Sequence, residues 1–223
     1  MDGPGVDPAQ LRRSLRFIRR VNTLLGYTRA TLWHLDRFSV RWRPGERITI
    51  IDFATGSADI PRAILRWATK RNFDVHIVGV DRHPVTAAHA AETGAPDPRL
   101  QIVQADVLNL PFAPGSFDYA LTAMFLHHLD DAVVVRVLRA MGTVARRGVI
   151  AADLLRHRRA YAWISAFTLL ANPMVKHDAR VSVAQAFTKS EILDLRDRAE
   201  ISFARYHRHF GHRFVLAGER SSW

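Results

Sequence analysis

The sequence of 223 residues lacks cysteine altogether. Its absence excludes a disulfide scaffold, a cysteine nucleophile and a thiolate metal site. Lysine is scarce, with only Lys70, Lys176 and Lys189 among 32 basic residues, so arginine carries almost all of the net charge of +11. The other totals, 48% apolar and 24% charged residues, are those of an ordinary globular chain of one domain.

The positive charge is unevenly distributed, which bears on the nucleic-acid or anionic-membrane partner that it suggests. Residues 1–47 and 136–159 each carry a net charge of +6, whereas residues 48–135 carry −4. In a protein that binds phosphates along its length, the positive charge would be less segregated. We therefore interpret the arginines as a solvated exterior and expect no nucleic-acid partner. A narrower alternative is that Arg156, Arg158 and Arg159 favour acidic lipid surfaces or anionic acceptors.

Long apolar runs are also missing. The N-terminus has no apolar signal core, so we expect a cytoplasmic protein. The longest uncharged run, residues 160–175, is slightly short for a membrane span and contains Asn172 and Pro173. It predicts a buried helix, with a substrate lid or an interfacial helix that makes peripheral membrane contact as alternatives.

Short β-rich apolar runs alternate with helical patterns from residue 47 onward, which predicts right-handed βαβ units. The predicted strands are 47–53, 74–81, 100–105, 117–124, 148–153, 201–206 and 213–217, and the predicted helices are 9–38 (broken at Gly26), 60–68, 84–92, 131–141 and 188–198. The fold class is therefore Rossmann-like α/β, a doubly wound and mostly parallel seven-stranded sheet with helices on both faces and a helical lid. We divide the chain into an N-terminal helical lid (1–45) and a Rossmann-like domain (46–223) with a substrate-lid insertion at about 155–187.

A small-residue loop follows the first predicted strand. Residues 52–59 read Asp-Phe-Ala-Thr-Gly-Ser-Ala-Asp, and small side chains let the backbone approach a ligand closely. The three usual glycine positions of such a loop hold Ala54, Gly56 and Ala58. Alanine is tolerated at the third position, but Ala54 puts the usual tight turn at the first in doubt.

Two further acids end the next two strands. Asp81 can accept both hydroxyls of a ribose, and Asp106 can reach an adenine edge. Each acid alone reads equally well as a strand-end or cap residue. Their ordered combination with Asp52 and Gly56 favours a nucleotide-binding edge.

The next motif, residues 117–130, reads Phe-Asp-Tyr-Ala-Leu-Thr-Ala-Met-Phe-Leu-His-His-Leu-Asp. With this motif the sequence resembles the class I S-adenosylmethionine-dependent methyltransferases over about residues 20–217, and most of all the small bacterial enzymes related to quinone-biosynthesis and phenolic O-methyltransferases. The resemblance implies S-adenosyl-L-methionine as cofactor and an antiparallel seventh strand. It also implies cofactor-binding roles for Asp52, Ala54, Thr55, Gly56, Ala58, Asp81, Arg82, Asp106, Val107, Thr122, Ala123 and Met124.

Methyl transfer to a phenol benefits from a nearby base, and histidine titrates in the appropriate range. The candidates are His128, His127 and His177, and at most one of the adjacent pair is expected to face the substrate; the alternative for each is a structural histidine. Candidate substrate-binding residues, in the segment that holds substrate elements in comparable enzymes, are Tyr161, Trp163, Met174, Asp178 and Arg180. No spacing supports a metal site, so we expect no metal.

The sequence therefore predicts an S-adenosylmethionine-dependent methyltransferase of secondary metabolism, monomeric or homodimeric. It acts on a small aromatic or apolar acceptor (a phenol, a quinol or a polyketide-like molecule), with O-methylation favoured. A quinone-pathway C-methyltransferase is the nearest alternative. A nucleic-acid-binding or nucleic-acid-modifying protein and a catalytically silent cofactor-binding homologue are the more distant ones.

Overall fold

The computed structural model describes residues 26–94, 97–156, 183, 185–210 and 212–222. The helices and strands, numbered in chain order, are α1 (Tyr27–Ser39), β1 (Arg47–Phe53), α2 (Asp59–Arg71), β2 (Asp74–Asp81), α3 (Pro84–Gly94), β3 (Leu100–Gln104), β4 (Phe117–Ala123), a 3₁₀ turn (Leu126–His128), α4 (Asp131–Val144), β5 (Ala145–Leu154), α5 (Lys189–Arg198), β6 (Arg205–His209) and β7 (Arg213–Glu219).

The seven strands form one sheet in the order β3-β2-β1-β4-β5-β7-β6. The pairs among the first five strands are parallel, and β7 runs antiparallel to both β5 and β6. The sheet confirms the predicted fold class, including the antiparallel strand. The order reverses between β1 and β4, which is the switch point where ligands bind in open α/β sheets.

Apolar side chains cover both faces of the sheet. The strand β1 shows why, because Ile48 and Ile50 pack on one face and Ile51 and Phe53 on the other. The first face is covered by α1 and α2, and the second by α4 and α5. A strand buried on both faces reads as a continuous apolar run, which is how β1 is visible in the sequence.

Most predicted elements are found within a few residues of their expected bounds. The helix α1 begins after Gly26, whose φ of +74° breaks the helical path. The capping box is confirmed, since the Glu191 N–H donates to Thr188 Oγ1 (3.3 Å) and the Thr188 N–H donates to Glu191 Oε2 (2.8 Å). The predicted helix over residues 9–25 lies outside the described residues.

One predicted strand is wrong in its first half. Strand β6 begins at Arg205, because residues 201–204 form a turn closed by a hydrogen bond from the Ala204 N–H to the Ile201 carbonyl (2.9 Å). Ile201 and Ala204 are buried in the core beside α4 and α5, so these apolar residues mark a packed turn.

The predicted division into a lid (1–45) and a Rossmann-like domain (46–223) stays a prediction. Helix α1 packs its Tyr27, Leu35 and Phe38 into the core of the sheet. Most of the predicted insertion, residues 157–182 and 184, lies outside the described residues. Among the helices that the structure does describe, none combines the length and apolar character needed to cross a membrane.

A buried ionic network joins strands at the sheet edge opposite the switch point. Asp118 is fully buried and accepts hydrogen bonds from the Thr49 N–H (2.8 Å) and hydroxyl (3.0 Å). It also pairs with Arg147 (2.6 Å) and Arg146 (2.8 Å), and Arg147 reaches Glu46 as well. The Arg147 side chain is 4% exposed, so the interpretation of these arginines as a solvated exterior is wrong for Arg147.

The substitution Asp118→Asn tests this network. Removing the Asp118 charge leaves the buried Arg147 with Glu46 as a remaining carboxylate partner, so we expect the free energy of unfolding to fall by about 3 kcal/mol, the low end for a broken buried ion pair. Arg146→Gln is the matched control, because the Arg146 side chain is 55% exposed and its pair with Asp118 is partly solvated. Urea unfolding measures both, and an equal small loss in the two variants would contradict the prediction.

Candidate active site

Five parallel strands end at one edge of the sheet, and polar residues collect there. Asp52 and Asp81 lie at the carboxyl ends of β1 and β2, and Asp106 follows β3. Thr122 and Ala123 end β4, Met124 follows it, and Asp153 lies near the end of β5. The sheet thus brings the sequence-predicted cofactor residues to its ligand-binding edge.

The loop after β1 turns through three left-handed residues. The φ angles of Ala54, Gly56 and Ala58 are +55°, +56° and +54°. A hydrogen bond from the Thr55 N–H to the Val80 carbonyl (2.9 Å) ties the loop to β2. The turn that Ala54 put in doubt therefore forms. Each left-handed alanine in it has a steric cost of about 1–2 kcal/mol.

Asp52 is a carboxylate buried directly under this loop. It is 3% exposed and accepts a hydrogen bond from the Thr55 hydroxyl (2.7 Å). No salt bridge to Asp52 is formed within the described part of the chain. Burial, helped by the charges of Asp59 and Asp81 and opposed by the Thr55 hydrogen bond, raises the pKa of Asp52 to about 7. A ligand that brings a cation to Asp52 would favour its ionised form.

Asp81 connects the loop to the end of β2. Its Oδ2 accepts from the Gly56 N–H (3.0 Å) and its Oδ1 from the His83 N–H (3.0 Å). These two bonds orient the Asp81 carboxylate at the loop after β1. Arg82, beside it, is exposed.

The end of β3 lies next to Asp81. The Ala105 N–H donates to the Asp81 carbonyl (3.1 Å), which places Asp106 beside β2. The half-buried Asp106 carboxylate accepts from the Leu108 N–H (2.9 Å), and Val107 is 8% exposed in the core. The strand end therefore offers one anchored carboxylate at the place expected for an adenine edge.

The end of β4 lies beside the loop after β1. The buried Thr122 donates its hydroxyl to the Phe53 carbonyl (3.1 Å), and Ala123 is partly buried. Met124 has a φ of +56°, and its N–H donates to the Ala152 carbonyl (3.0 Å). A left-handed non-glycine residue at a ligand-binding edge is strained, as is frequent at functional sites.

The two adjacent histidines occupy different surroundings. His127 is 2% exposed, and its Nδ1 lies 2.6 Å from Asp153 Oδ1, while its N–H donates to Asp153 Oδ2 (3.2 Å). His128 is exposed, with its ring centroid 4.0 Å from that of His127. The third candidate, His177, lies outside the described residues, as do the predicted substrate residues Tyr161, Trp163, Met174, Asp178 and Arg180.

Asp153 fixes the orientation of His127. Burial by itself would raise the pKa of Asp153, but the neighbouring charge of His127 and the hydrogen bonds from His127 and the Leu154 N–H hold it below the usual value. An ionised Asp153 accepts the Nδ1 proton, so Nε2 is the ring nitrogen that can take a proton. The arrangement suits a general base.

Sequence reasoning missed Asp153 and Arg213 as residues of this edge. Asp153 ends a strand as Asp52 and Asp81 do, so the same signal could have found it. Arg213 begins β7 and pairs with Leu154, a neighbour that only the strand order reveals. Tyr27 lies here too: it is fully buried, its pKa is raised well above the usual value by burial and then by the charge of Asp153, and its ring contacts Arg213 (5.0 Å).

The sequence of this chain matches known methyltransferases. Residues 50–148 match a family model described as a methyltransferase domain. The chain is 30% identical over 155 residues to the 2-phytyl-1,4-naphtoquinone methyltransferase of Nostoc punctiforme, and the alignment covers 68% of this chain and 64% of that relative. The chain therefore spans slightly less than two thirds of the length of this relative.

Two solved structures share the fold over almost the whole chain. A S-adenosylmethionine-dependent methyltransferase from Aquifex aeolicus superposes with a TM-score of 0.63 at 13% identity, covering 96% of this chain and 99% of the other. Human N-acetylserotonin methyltransferase in complex with S-adenosylmethionine gives 0.69 at 12% identity, covering 97% and 57%. The strand order and these comparisons agree: the chain has the fold of S-adenosylmethionine-dependent methyltransferases, and its residues 50–148 match a methyltransferase domain.

Proposed function

We propose that the chain transfers a methyl group from S-adenosylmethionine to a small aromatic or apolar acceptor, with oxygen of a phenol, quinol or polyketide-like molecule as the favoured target. One observation carries the proposal: the loop after β1 is joined to both strand-end acids, through Thr55 to Asp52 (2.7 Å) and through Gly56 to Asp81 (3.0 Å). These are the positions that the family resemblance assigns to the cofactor.

The charges of the described residues suit this cofactor. S-adenosylmethionine, when bound, supplies an activated methyl group on a sulfonium and carries an ammonium group as well. A buried carboxylate such as Asp52, without a salt bridge in the described chain, is complementary to a cation and unfavourable for a pyrophosphate. Asp81 would hold the ribose and Asp106 the adenine.

His127 is our proposed base for an oxygen acceptor. The carboxylate of Asp153 selects its tautomer and holds its ring (2.6 Å), so Nε2 can remove the proton of a hydroxyl as the methyl group arrives. Proximity and alignment supply most of the remaining acceleration.

A quinone-pathway C-methyltransferase is the second candidate. It is supported by the Nostoc punctiforme relative, whose name specifies a naphthoquinone. The two candidates share the cofactor and differ in the attacking atom.

Several sequence expectations remain proposals. They are a role in secondary metabolism, a cytoplasmic location, a monomeric or homodimeric state, and peripheral membrane contact. The last concerns residues 160–175, which lie outside the described residues.

Calorimetric titration with S-adenosylhomocysteine, followed by incubation with S-adenosylmethionine and a panel of phenols and quinols read by mass, tests the function. We expect binding, and one added methyl group on at least one acceptor. Folded protein that does not bind S-adenosylhomocysteine would contradict the proposal. The position of the new methyl group, determined by NMR, separates oxygen from carbon transfer.

The raised pKa of Asp52 predicts pH-dependent cofactor binding. Because the cationic amino-acid end of the ligand favours ionised Asp52, binding must release the proton that the free protein holds below about pH 7. The dissociation constant for S-adenosylhomocysteine should therefore rise about tenfold per pH unit as the pH falls below 7. Calorimetry across pH 5.5–8.5, in buffers of different ionisation enthalpy, measures both affinity and proton release, with the pH values chosen about the Asp52 pKa.

Asp52→Asn should make this pH dependence flat and weaken binding above pH 7. The same change should stabilise the free protein there: the folded pKa of Asp52 exceeds its unfolded value of 3.8, so its contribution to stability is fully present at low pH and is lost as pH rises through about 7. Asp130→Asn, at an exposed position, is the matched control. An unaltered pH slope in Asp52→Asn would remove Asp52 from the cofactor site.

Separate substitutions of His127 and His128 test the proposed base. His127→Gln should lower kcat for a phenol acceptor by about a hundredfold or more, with little change in S-adenosylhomocysteine affinity. His128→Gln should change kcat by less than about threefold, since exposed substitutions away from the chemistry have small effects. Thermal midpoints check that both variants fold, and the reverse order of kcat effects would assign the base to His128.

Ala54→Gly tests whether the loop is a degenerate cofactor site. Glycine adopts the φ of +55° without strain, so the protein should gain about 1 kcal/mol of stability. Because the loop already forms its turn with alanine, S-adenosylhomocysteine affinity should change by less than about threefold. A large gain in affinity would favour the catalytically silent homologue.

A further inference from the structure

Arg213 is a buried cation at the start of β7, beside the carboxyl end of β5. The residue is 6% exposed, and its guanidinium lies over the ring of Tyr27 (5.0 Å from the ring centroid). A Cβ added at Gly26 would meet Arg213 Nη1 at 2.6 Å, so only glycine permits this close approach. The guanidinium is thus held against the start of α1.

The described part of the chain provides no carboxylate for this cation. Arg213 forms no salt bridge there, and its buried Nε has no hydrogen-bond partner; the fully buried Tyr27 hydroxyl also lacks one. Burial lowers the pKa of Arg213; Tyr27 opposes this shift, and a second cation, the exposed Arg29, adds to it. A buried charge without a partner is unfavourable, so its presence calls for a complementary anion.

The start of α1 adds to the same positive region. This helix of 13 residues begins at Tyr27 with no side-chain cap on Gly26 and no acid in its first turn. Free N–H groups and the helix dipole at such an end attract anions. Arg213, aimed at this end, supplies the full charge.

The strand order places the region away from the cofactor-binding strands. Arg213 begins β7, which is separated from β4 by β5 and from β1 by two strands. At about 4.8 Å per strand, β7 lies roughly 10 Å from β4 and roughly 14 Å from β1. Between them, on β5, is Asp153 with its partner His127. Along the strand order, the positive region therefore lies on the other side of β5, which carries Asp153, from β1, which carries Asp52.

We propose that Arg213, the Tyr27 hydroxyl and the start of α1 form a subsite for a carboxylate carried by the acceptor. This inference rests on the proposed function and specifies its substrate class, an aromatic acid whose methylated group lies near His127 and whose carboxylate lies at Arg213. Guanidinium and carboxylate make two parallel hydrogen bonds, and Tyr27 can donate a third.

Benzoate and its neutral counterpart benzamide test the subsite on protein saturated with S-adenosylhomocysteine. Calorimetry should give benzoate an affinity at least about tenfold higher than that of benzamide, because bonds to a charged group are the stronger ones. Arg213→Met keeps the bulk and removes the charge, and should reduce this ratio to about one. Arg213→Lys should retain most of the preference, and Arg208→Gln, an exposed arginine on β6, should retain all of it.

The same titrations separate the outcomes. If wild-type protein fails to bind S-adenosylhomocysteine, the proposed function fails first. If it binds S-adenosylhomocysteine but does not prefer benzoate, or if Arg213→Met keeps the preference, the subsite is overturned. If Arg213→Met instead weakens S-adenosylhomocysteine about tenfold, the site holds the carboxylate of the cofactor and the inference is wrong. Thermal midpoints of the Met and Lys variants confirm folding.

Discussion

The burial of parallel strands on both faces is the constraint on which the rest of this structure depends. In β1, the consecutive residues Ile50 and Ile51 pack into opposite cores, and the acid of this strand, Asp52, lies next to its carboxyl end. In β2, Val75, Ile77 and Val80 are buried, and Asp81 ends the strand. Because the strands are parallel, these ends meet at one edge, and a packing requirement thereby gathers the ionisable groups.

That edge is organised at a cost to the stability of the free protein. Asp52 is buried without a salt bridge in the described chain, Ala54 and Met124 adopt left-handed backbone, and Arg213 is buried without a described carboxylate. Each feature is unfavourable in the free protein. A ligand of opposite charge would compensate the buried charges, and a ligand that approaches the backbone closely would use the left-handed residues. Acids at the ends of β1 and β2 and a cation at the start of β7 also give the edge two regions of opposite charge, which would orient a cofactor and an acidic acceptor differently.

The sequence was sufficient for the fold because each strand has a local signature. It also predicted that the loop after β1 and the acids Asp81 and Asp106 share one edge of the sheet, because parallel strands end there; their binding of a cofactor stays a prediction. The sequence could not show which of His127 and His128 contacts a carboxylate, because the two residues are adjacent in the same motif. The structure shows that His127 contacts Asp153. Arg213 was equally invisible, because its place beside β5 depends on the insertion of an antiparallel strand. The strand predicted from residue 201 is wrong in its first half, because a buried turn and a buried strand have similar amino-acid composition.

The arginine excess has different physical meanings at the two ends of the sheet. Arg147 is as buried as Arg213, yet it is matched by Asp118 and Glu46 and serves to hold strands together. Arg213 lies at the ligand-binding edge with an aromatic ring and a helix start beside it and no described acid. Net charge counts both residues alike. What distinguishes a structural arginine from a binding one is whether the chain itself provides the anion, and at Arg213 the described chain does not.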